Sequence, residues 1–178
     1  MNKKYQIISF VAIILGFFMA LLDTTIVNIT LPKMTEYFNT NMAHISWVVN
    51  AYNLAFAAIV LTASRLSDQF GRKKLFITGV FLFTISSLLS GISNSLEVLI
   101  LLRALQGLSA AFVVPVAMPL SSEIFPPEKR GTIMALWGAF AGLAAASGPT
   151  LGGILTQCFN WRYIFFINVH KIGRASCR

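Results

Sequence analysis

Five apolar stretches dominate this chain and decide what it can fold into. They cover residues 7–31, 47–66, 75–92, 98–120 and 132–155. A helix needs about 20 apolar residues to cross the hydrocarbon core of a bilayer, and each stretch is close to that length or longer. The stretches are continuous, whereas the strands of a membrane barrel alternate apolar and polar residues over about 10 positions. The sequence therefore predicts an all-α fold, a polytopic membrane helix bundle with short links between antiparallel neighbours.

Composition excludes a soluble domain. Hydrophobic residues make up 56% of the 178 residues and charged residues 11%, whereas a soluble domain has about 45–50% and about 25%. The net charge of +8 could indicate nucleic-acid binding, but the basic residues form short clusters between the apolar stretches rather than a basic face. We therefore predict a protein surrounded by membrane lipid, with no nucleic-acid partner.

The sequence contains no pattern typical of an enzyme. A nucleophile with its base, a phosphate-binding loop and a spaced set of metal ligands are all missing from it. The two cysteines, Cys158 and Cys177, provide neither a metal site nor a disulfide framework. We predict that the protein is not an enzyme and needs no metal or cofactor.

The distribution of lysine and arginine predicts the orientation in the membrane, because short cytoplasmic loops carry an excess of these residues. If the N-terminus is cytoplasmic, only Lys33 and Arg162 lie on the outer side. The inner side then carries eight basic residues: Lys3, Lys4, Arg65, Arg72, Lys73, Lys74, Lys129 and Arg130. This asymmetry predicts a multi-pass membrane protein with its N-terminus on the cytoplasmic side.

A sixth apolar stretch begins at Tyr163 and ends after Val169, although a spanning helix should continue for about 20 residues. Residues 171–178 also match the translation of a common sequencing adapter. We therefore expect residues 1–169 to be native and residues 170–178 to be a non-native tail. The alternative is a genuine cytoplasmic tail.

Asp23 lies inside the first apolar stretch. A carboxylate at the centre of a membrane helix costs about 2.5 to 3.5 kcal/mol on insertion scales, so such residues are usually functional. One interpretation is a proton carrier or a countercharge for a cationic substrate. The alternative is an ion pair or hydrogen bond between helices that has no part in transport.

Arg103 is a second charge inside an apolar stretch, the fourth. At a rise of about 1.5 Å per residue, Asp23 and Arg103 lie in the same outer half of the membrane and within about 5 Å of the same depth. An ion pair between them would offset the desolvation of both, and an incoming proton or cation could then compete with Arg103 for Asp23. The alternative is that Arg103 extends to the outer interface.

The link between the second and third apolar stretches contains Asp68, Gly71, Arg72 and Lys73. Gly71 permits the positive φ that a tight reversal needs. Asp68 could accept hydrogen bonds from the free amides at the start of the third spanning helix. Arg72 and Lys73 would anchor that end at the cytoplasmic face, and a simple positive-inside turn is the alternative.

Glycines and prolines in the last two stretches predict special helix packing. Gly138 with Gly142 and Gly148 with Gly152 are pairs four residues apart that allow close approach of another helix. Pro149 removes one backbone hydrogen bond and can kink the fifth span, which would let it rock against a partner; a static packing helix is the alternative. We also expect Pro115 and Pro119 to interrupt the fourth span.

Four of these segments, in this order, resemble motifs of the major facilitator superfamily. Residues 65–75 resemble its inner-loop motif, residues 103–107 its fourth-span motif and residues 148–153 its antiporter motif. Residues 22–32 resemble the first-span signature of the fourteen-spanning drug:proton antiporters, and residues 161–168 fit that group too. The chain departs from the patterns at Ser64, Ser109 and Ala144, where the family usually has glycine.

The resemblance implies a fold and a function. Residues 1–169 would be part of the N-terminal half of a transporter that exports lipophilic or cationic drugs in exchange for protons, with the missing C-terminal half as a partner and an adaptor protein as a further one. Two halves would rock around a midplane site, so this chain alone would transport nothing. The implied site residues are Asp23 and Arg103 for proton coupling or substrate binding, Asp68, Gly71, Arg72 and Lys73 for inner-loop gating, and Gly148, Pro149, Gly152 and Gly153 for the antiporter helix motif.

Two other functions stay open at the level of sequence. One is a transporter of the same superfamily for another solute, such as an anion or a metabolite. The other is a small structural membrane protein without transport activity, which would fold and assemble as a short chain.

Overall fold

A computed structural model describes residues 3–158 and 160–166. Within these residues the chain is helical and contains no strand. The helices are α1 (Lys3–Tyr37), α2 (Met42–Ile45), α3 (Trp47–Phe70), α4 (Arg72–Ile92), α5 (Leu96–Ile124) and α6 (Arg130–Cys158), with a 3-10 turn at Pro127–Lys129. The prediction of an all-α bundle is confirmed.

The five predicted spans correspond to α1, α3, α4, α5 and α6, each long and apolar enough to cross a membrane. The helices extend beyond the apolar stretches, most of all in α1, which begins at Lys3 and ends at Tyr37. Apolar length therefore located the spans but not their ends, since polar residues at the interface continue the backbone hydrogen bonding. The short α2 is capped by Asn41, whose side chain accepts a hydrogen bond from the His44 amide at 2.9 Å.

Helix α5 lies at the centre of the bundle and packs against α1, α3 and α4, while α6 packs mainly against α1. One apolar cluster, around Phe10, Phe76 and Trp137, joins α1, α4, α5 and α6. A second, around Ile26, Leu99 and Phe165, lies farther along α1. The buried polar residues described below lie beside the second cluster.

Contacts at the two ends of the bundle agree with the alternating direction of the helices. At one end, which we call the basic end, the Gln6 side chain donates to the Ile124 carbonyl at 3.1 Å and Arg72 donates to Glu123 at 2.8 Å. At the opposite end Arg162 donates to the Tyr37 hydroxyl at 2.8 Å. The basic end gathers the start of α1, the α3–α4 link and the α5–α6 link, which carry the clusters of lysine and arginine.

The two glycine pairs of α6 have different surroundings. A Cβ atom built on Gly148 would lie 2.0 Å from the Thr25 hydroxyl oxygen, and one on Gly152 would lie 3.5 Å from Ile29. This pair therefore packs closely on α1, as predicted. A Cβ atom on Gly138 or Gly142 would meet no atom of the described residues within 4 Å. Within that part of the chain, this pair makes no close packing face, so this part of the prediction is not confirmed.

The prolines do not interrupt their helices. Helix α5 continues through Pro115 and Pro119, and α6 continues through Pro149. The expectation of an interrupted fourth span is wrong, because neighbouring turns hold the helix when proline removes single hydrogen bonds.

The sixth apolar stretch is described only in part. Residues 163–166 form one helical turn. The rest of that stretch and the proposed non-native tail at 170–178 lie outside the described residues.

Candidate functional site

Asp23 of α1 and Arg103 of α5 form a buried ion pair. Arg103 Nη1 lies 2.5 Å from Asp23 Oδ2, and the two side chains are 1% and 2% exposed. The sequence predicts this pairing from the depth of the two charges. The alternative in which Arg103 extends to the outer interface is wrong, since its guanidinium is turned into the bundle.

Gln106 bridges the two members of the ion pair by hydrogen bonds to both, and it was not among the residues predicted from the sequence. Its amide nitrogen donates to Asp23 Oδ1 at 3.0 Å, and its oxygen accepts from Arg103 Nη1 at 2.8 Å. Gln106 is one helical turn after Arg103 and is fully buried. The spacing of three residues on one helix places both side chains on the same face, and this is the signal that could have identified it.

Helix α3 supplies two further contacts to Arg103. The Val48 carbonyl accepts from Arg103 Nε at 3.1 Å. The guanidinium carbon lies 4.4 Å from the centre of the Tyr52 ring, within the range of a cation–π interaction. Neither contact could be predicted from sequence, because an apolar helix offers many carbonyls and Tyr52 lies in an ordinary apolar run.

Gly107 explains why α3 can supply these contacts. A Cβ atom on Gly107 would lie 2.2 Å from the Tyr52 carbonyl oxygen, so the two backbones meet at a distance that only glycine allows. Gly107 is four residues after Arg103, and Tyr52 is four residues after Val48. The close approach therefore fixes the turn of α3 that faces the ion pair.

The antiporter motif lies next to this site. Gly148 packs on Thr25, two residues after Asp23, and Gly152 packs on the next turn of α1. Pro149 lies between them in α6. A Cβ atom on Gly153 would meet no described atom within 4 Å. A movement of α6 along this contact would thus act directly on the segment of α1 that carries Asp23.

The inner-loop residues form a separate polar cluster at the basic end. Arg72 donates to Asp68 through Nε at 3.0 Å and through Nη2 at 2.8 Å, and its Nη1 lies 2.8 Å from Glu123 of α5. Lys73 is exposed. Glu123 was not predicted from the sequence, because it lies far along the chain from the loop motif.

The expected role of Asp68 as a helix cap is wrong. Asp68 belongs to the last turn of α3, and the first residue before α4, Gly71, has no side-chain capping bond. The carboxylate is bound instead to the Arg72 guanidinium, a charged donor that binds it more strongly than a neutral backbone amide.

Gly71 has φ +96°, as predicted for a tight reversal. Replacing Gly71 by alanine is expected to cost about 1 kcal/mol of stability, because this backbone conformation is strained for any residue with a Cβ atom. Thermal unfolding in detergent measures the effect. Gly131→Ala is the matched control, since both glycines have open space around them; equal stability of the two variants would contradict the prediction.

Chemically, the Asp23 site is a buried charged pair held by the Gln106 amide, the Val48 carbonyl and the rings of Tyr52 and Phe165. A proton or a cation that reaches Asp23 must compete with Arg103. Among the described residues, no group of three or more histidine, cysteine, aspartate or glutamate side chains could hold a metal ion.

A family model described as Major Facilitator Superfamily matches residues 13–169. The chain belongs to the major facilitator superfamily. The superfamily is a family of transporters, so the resemblance drawn from the motifs is confirmed. The structure of a bacterial homolog of the human lysosomal transporter Spinster superposes with a TM-score of 0.83 at 16% identity, over 99% of this chain and 43% of that one. At this identity the match shows the superfamily fold alone.

Curated relatives of this superfamily member include exporters of drugs. The chain is 38% identical over 158 residues to the multidrug export protein EmrB of Haemophilus influenzae, covering 89% of this chain and 31% of that protein. It is 37% identical to the tetracenomycin C resistance and export protein of Streptomyces glaucescens, covering 93% and 30%. It is also 37% identical to the riboflavin transporter RibZ of Clostridioides difficile, covering 95% and 37%. The chain thus spans about a third of the length of these relatives.

Proposed function

We propose that this chain forms the first five to six spans of a transporter that exports lipophilic or cationic compounds in exchange for protons. The observation that carries the proposal is the buried Asp23–Arg103 pair with Gln106 across it. Relatives named for multidrug export and for drug efflux support the same class of substrate. The protein then acts in transport and not as an enzyme, and it needs no cofactor.

The proposed exchange takes place at Asp23. A proton that binds the carboxylate cancels its charge and weakens its attraction to Arg103. A cationic substrate instead keeps the carboxylate charged and competes with Arg103 for it. Because one carboxylate serves both ligands, each can displace the other, which is the requirement for antiport.

The two other motif clusters would convert this exchange into movement. Arg72 forms ion pairs with Asp68 of α3 and with Glu123 of α5. These contacts at the basic end must break or move if the inner side opens. The Gly148–Thr25 contact allows α6 to move against α1. We propose that Asp68, Gly71, Arg72 and Lys73 gate the inner side. We also propose that the antiporter motif of Gly148, Pro149, Gly152 and Gly153 carries the moving contact, which Gly148 and Gly152 make on α1.

The orientation belongs to the proposal as well. Since the basic end gathers most of the lysine and arginine, the positive-inside rule puts it, with the N-terminus, on the cytoplasmic side of a bacterial membrane. The rest of the transporter would supply the second wall of the cavity, and an adaptor protein could extend the export path.

Transport in proteoliposomes tests the proposal. The intact transporter carrying this segment is expected to move ethidium, a lipophilic cation, when a pH gradient is imposed, and to move protons in the opposite direction. Asp23→Asn should lower the rate of proton-coupled ethidium transport by about 100-fold or more. Glu36→Gln is the control, because it changes an exposed carboxylate near the end of the same helix, away from the ion pair. Proton-coupled ethidium transport that survives in Asp23→Asn would contradict the proposal.

A second candidate is a superfamily transporter for another solute. The observation that favours it is the match to a riboflavin transporter, as extensive as the matches to drug exporters. Riboflavin movement without ethidium movement, in the same proteoliposomes, would select this candidate.

A further inference from the structure

The contacts of Arg103 extend well beyond Asp23. Its guanidinium has five N–H donors to satisfy. Val48 accepts from Nε at 3.1 Å, Gln106 accepts from Nη1 at 2.8 Å, and the Tyr52 ring centre lies 4.4 Å from the guanidinium carbon. These three groups, which we call the arginine shell, come from α3 and α5 and not from α1.

The Arg103 guanidinium is therefore held from several sides. It has hydrogen-bond partners on α1, α3 and α5, and the Phe165 ring centre lies 5.9 Å from its carbon. If Asp23 exchanges its partner, the arginine shell stays in contact with the guanidinium. Without such contacts a buried cation would be left uncompensated, which is far more costly than the loss of one hydrogen bond.

Tyr52 is the aromatic member of the shell, and substitution can remove its ring without removing a hydrogen bond to Asp23. Its side chain is 3% exposed, and its backbone is held by the close contact with Gly107. A cation–π interaction strengthens when both partners are removed from water. The ring therefore offers the guanidinium an attractive surface that does not depend on the charge of Asp23.

We infer that Tyr52 is a positioning residue, whose ring holds Arg103 in place, together with Val48 and Gln106, while Asp23 exchanges partners. The partner exchange at Asp23 rests on the proposed function, whereas the positioning of Arg103 by Tyr52 does not. Arg103 is then the fixed member of the pair, and Asp23 is the member that changes its ligand.

Thermal unfolding of the intact transporter in detergent tests whether Tyr52 positions Arg103. Tyr52→Leu removes the ring, and Tyr52→Phe keeps it. The loss of melting temperature caused by Tyr52→Leu should be about twofold larger in an Asp23→Asn background than in the wild type, because the shell is then the main support of Arg103. Tyr52→Phe should cause equally small losses in both backgrounds.

Two results would overturn the inference. One is an equal loss for Tyr52→Leu in both backgrounds, which would make Tyr52 a packing residue only. The other is an Asp23→Asn protein that does not fold, since the shell would then be insufficient to hold Arg103.

Transport supplies a readout that packing alone would not give. Tyr52→Leu should lower the turnover number for ethidium export about tenfold with KM nearly unchanged, and Tyr52→Phe should restore most of it. A KM effect without a turnover effect would overturn the positioning role. If the wild type moves no ethidium against a pH gradient, the proposed function fails, while the unfolding comparison still decides whether Tyr52 holds Arg103.

Discussion

Replacing Arg103 by alanine is expected to destabilise the protein by about 3–5 kcal/mol, because it leaves Asp23 as a buried charge without its countercharge. Asp23 is 3% exposed, so water cannot replace the lost partner without opening the bundle. The Val48 carbonyl and the Gln106 oxygen would also lose the hydrogen bonds that Arg103 donates to them. Chemical unfolding of the purified transporter in detergent measures the loss.

Arg72→Ala is the matched control for this prediction. Arg72 also pairs with carboxylates, but the partners Asp68 and Glu123 are 59% and 55% exposed. Ion pairs of this kind contribute about 0–1 kcal/mol. If the two alanine variants unfold with the same loss of free energy, burial does not set the strength of the Asp23–Arg103 pair.

The second large effect is expected at Gly107. An added methyl group would lie 2.2 Å from the Tyr52 carbonyl oxygen, 2.9 Å from its carbonyl carbon and 3.0 Å from its Cα. All three atoms are backbone, so no rotamer change can relieve the clash and α3 must move away from α5. We expect Gly107→Ala to cost about 3 kcal/mol, the upper part of the range for overpacked cores.

Gly142→Ala provides the control for Gly107→Ala. It adds the same methyl group to a spanning helix at a position with no described atom within 4 Å. There alanine should be neutral or stabilise the helix by up to about 1 kcal/mol, because it favours helix more than glycine does. Similar melting temperatures for the two variants would contradict the packing geometry at Gly107.

The sequence was sufficient for those features that depend on position along a helix. Five apolar stretches predicted the five spanning helices, and rise per residue predicted that Asp23 and Arg103 lie at similar depth. It was insufficient for features that depend on rotation about the helix axis. Gly138 and Gly142 satisfied the spacing for close packing, yet the face that carries them is not the face that α6 turns toward α1.

The sequence also did not predict the contacts between side chains that lie far apart along the chain. Gln106 lies within the fourth-span motif, three residues after Arg103, so its helical spacing is a signal in the sequence that predicts the contact. Tyr52 and the Val48 carbonyl become neighbours of Arg103 only because Gly107 lets α3 approach. Asp68 had two chemically reasonable partners, and only the three-dimensional arrangement shows that Arg72 is the one it binds.

A double-mutant cycle on Asp23 and Arg103 tests the central claim, that the two charges act as one coupled unit in the membrane. The free energy of unfolding is measured for wild type, Asp23→Asn, Arg103→Gln and the double variant. Residues joined in one ion pair are expected to show a coupling energy of about 2 kcal/mol, with the double variant more stable than the sum of the single losses predicts. Additive losses would contradict the claim.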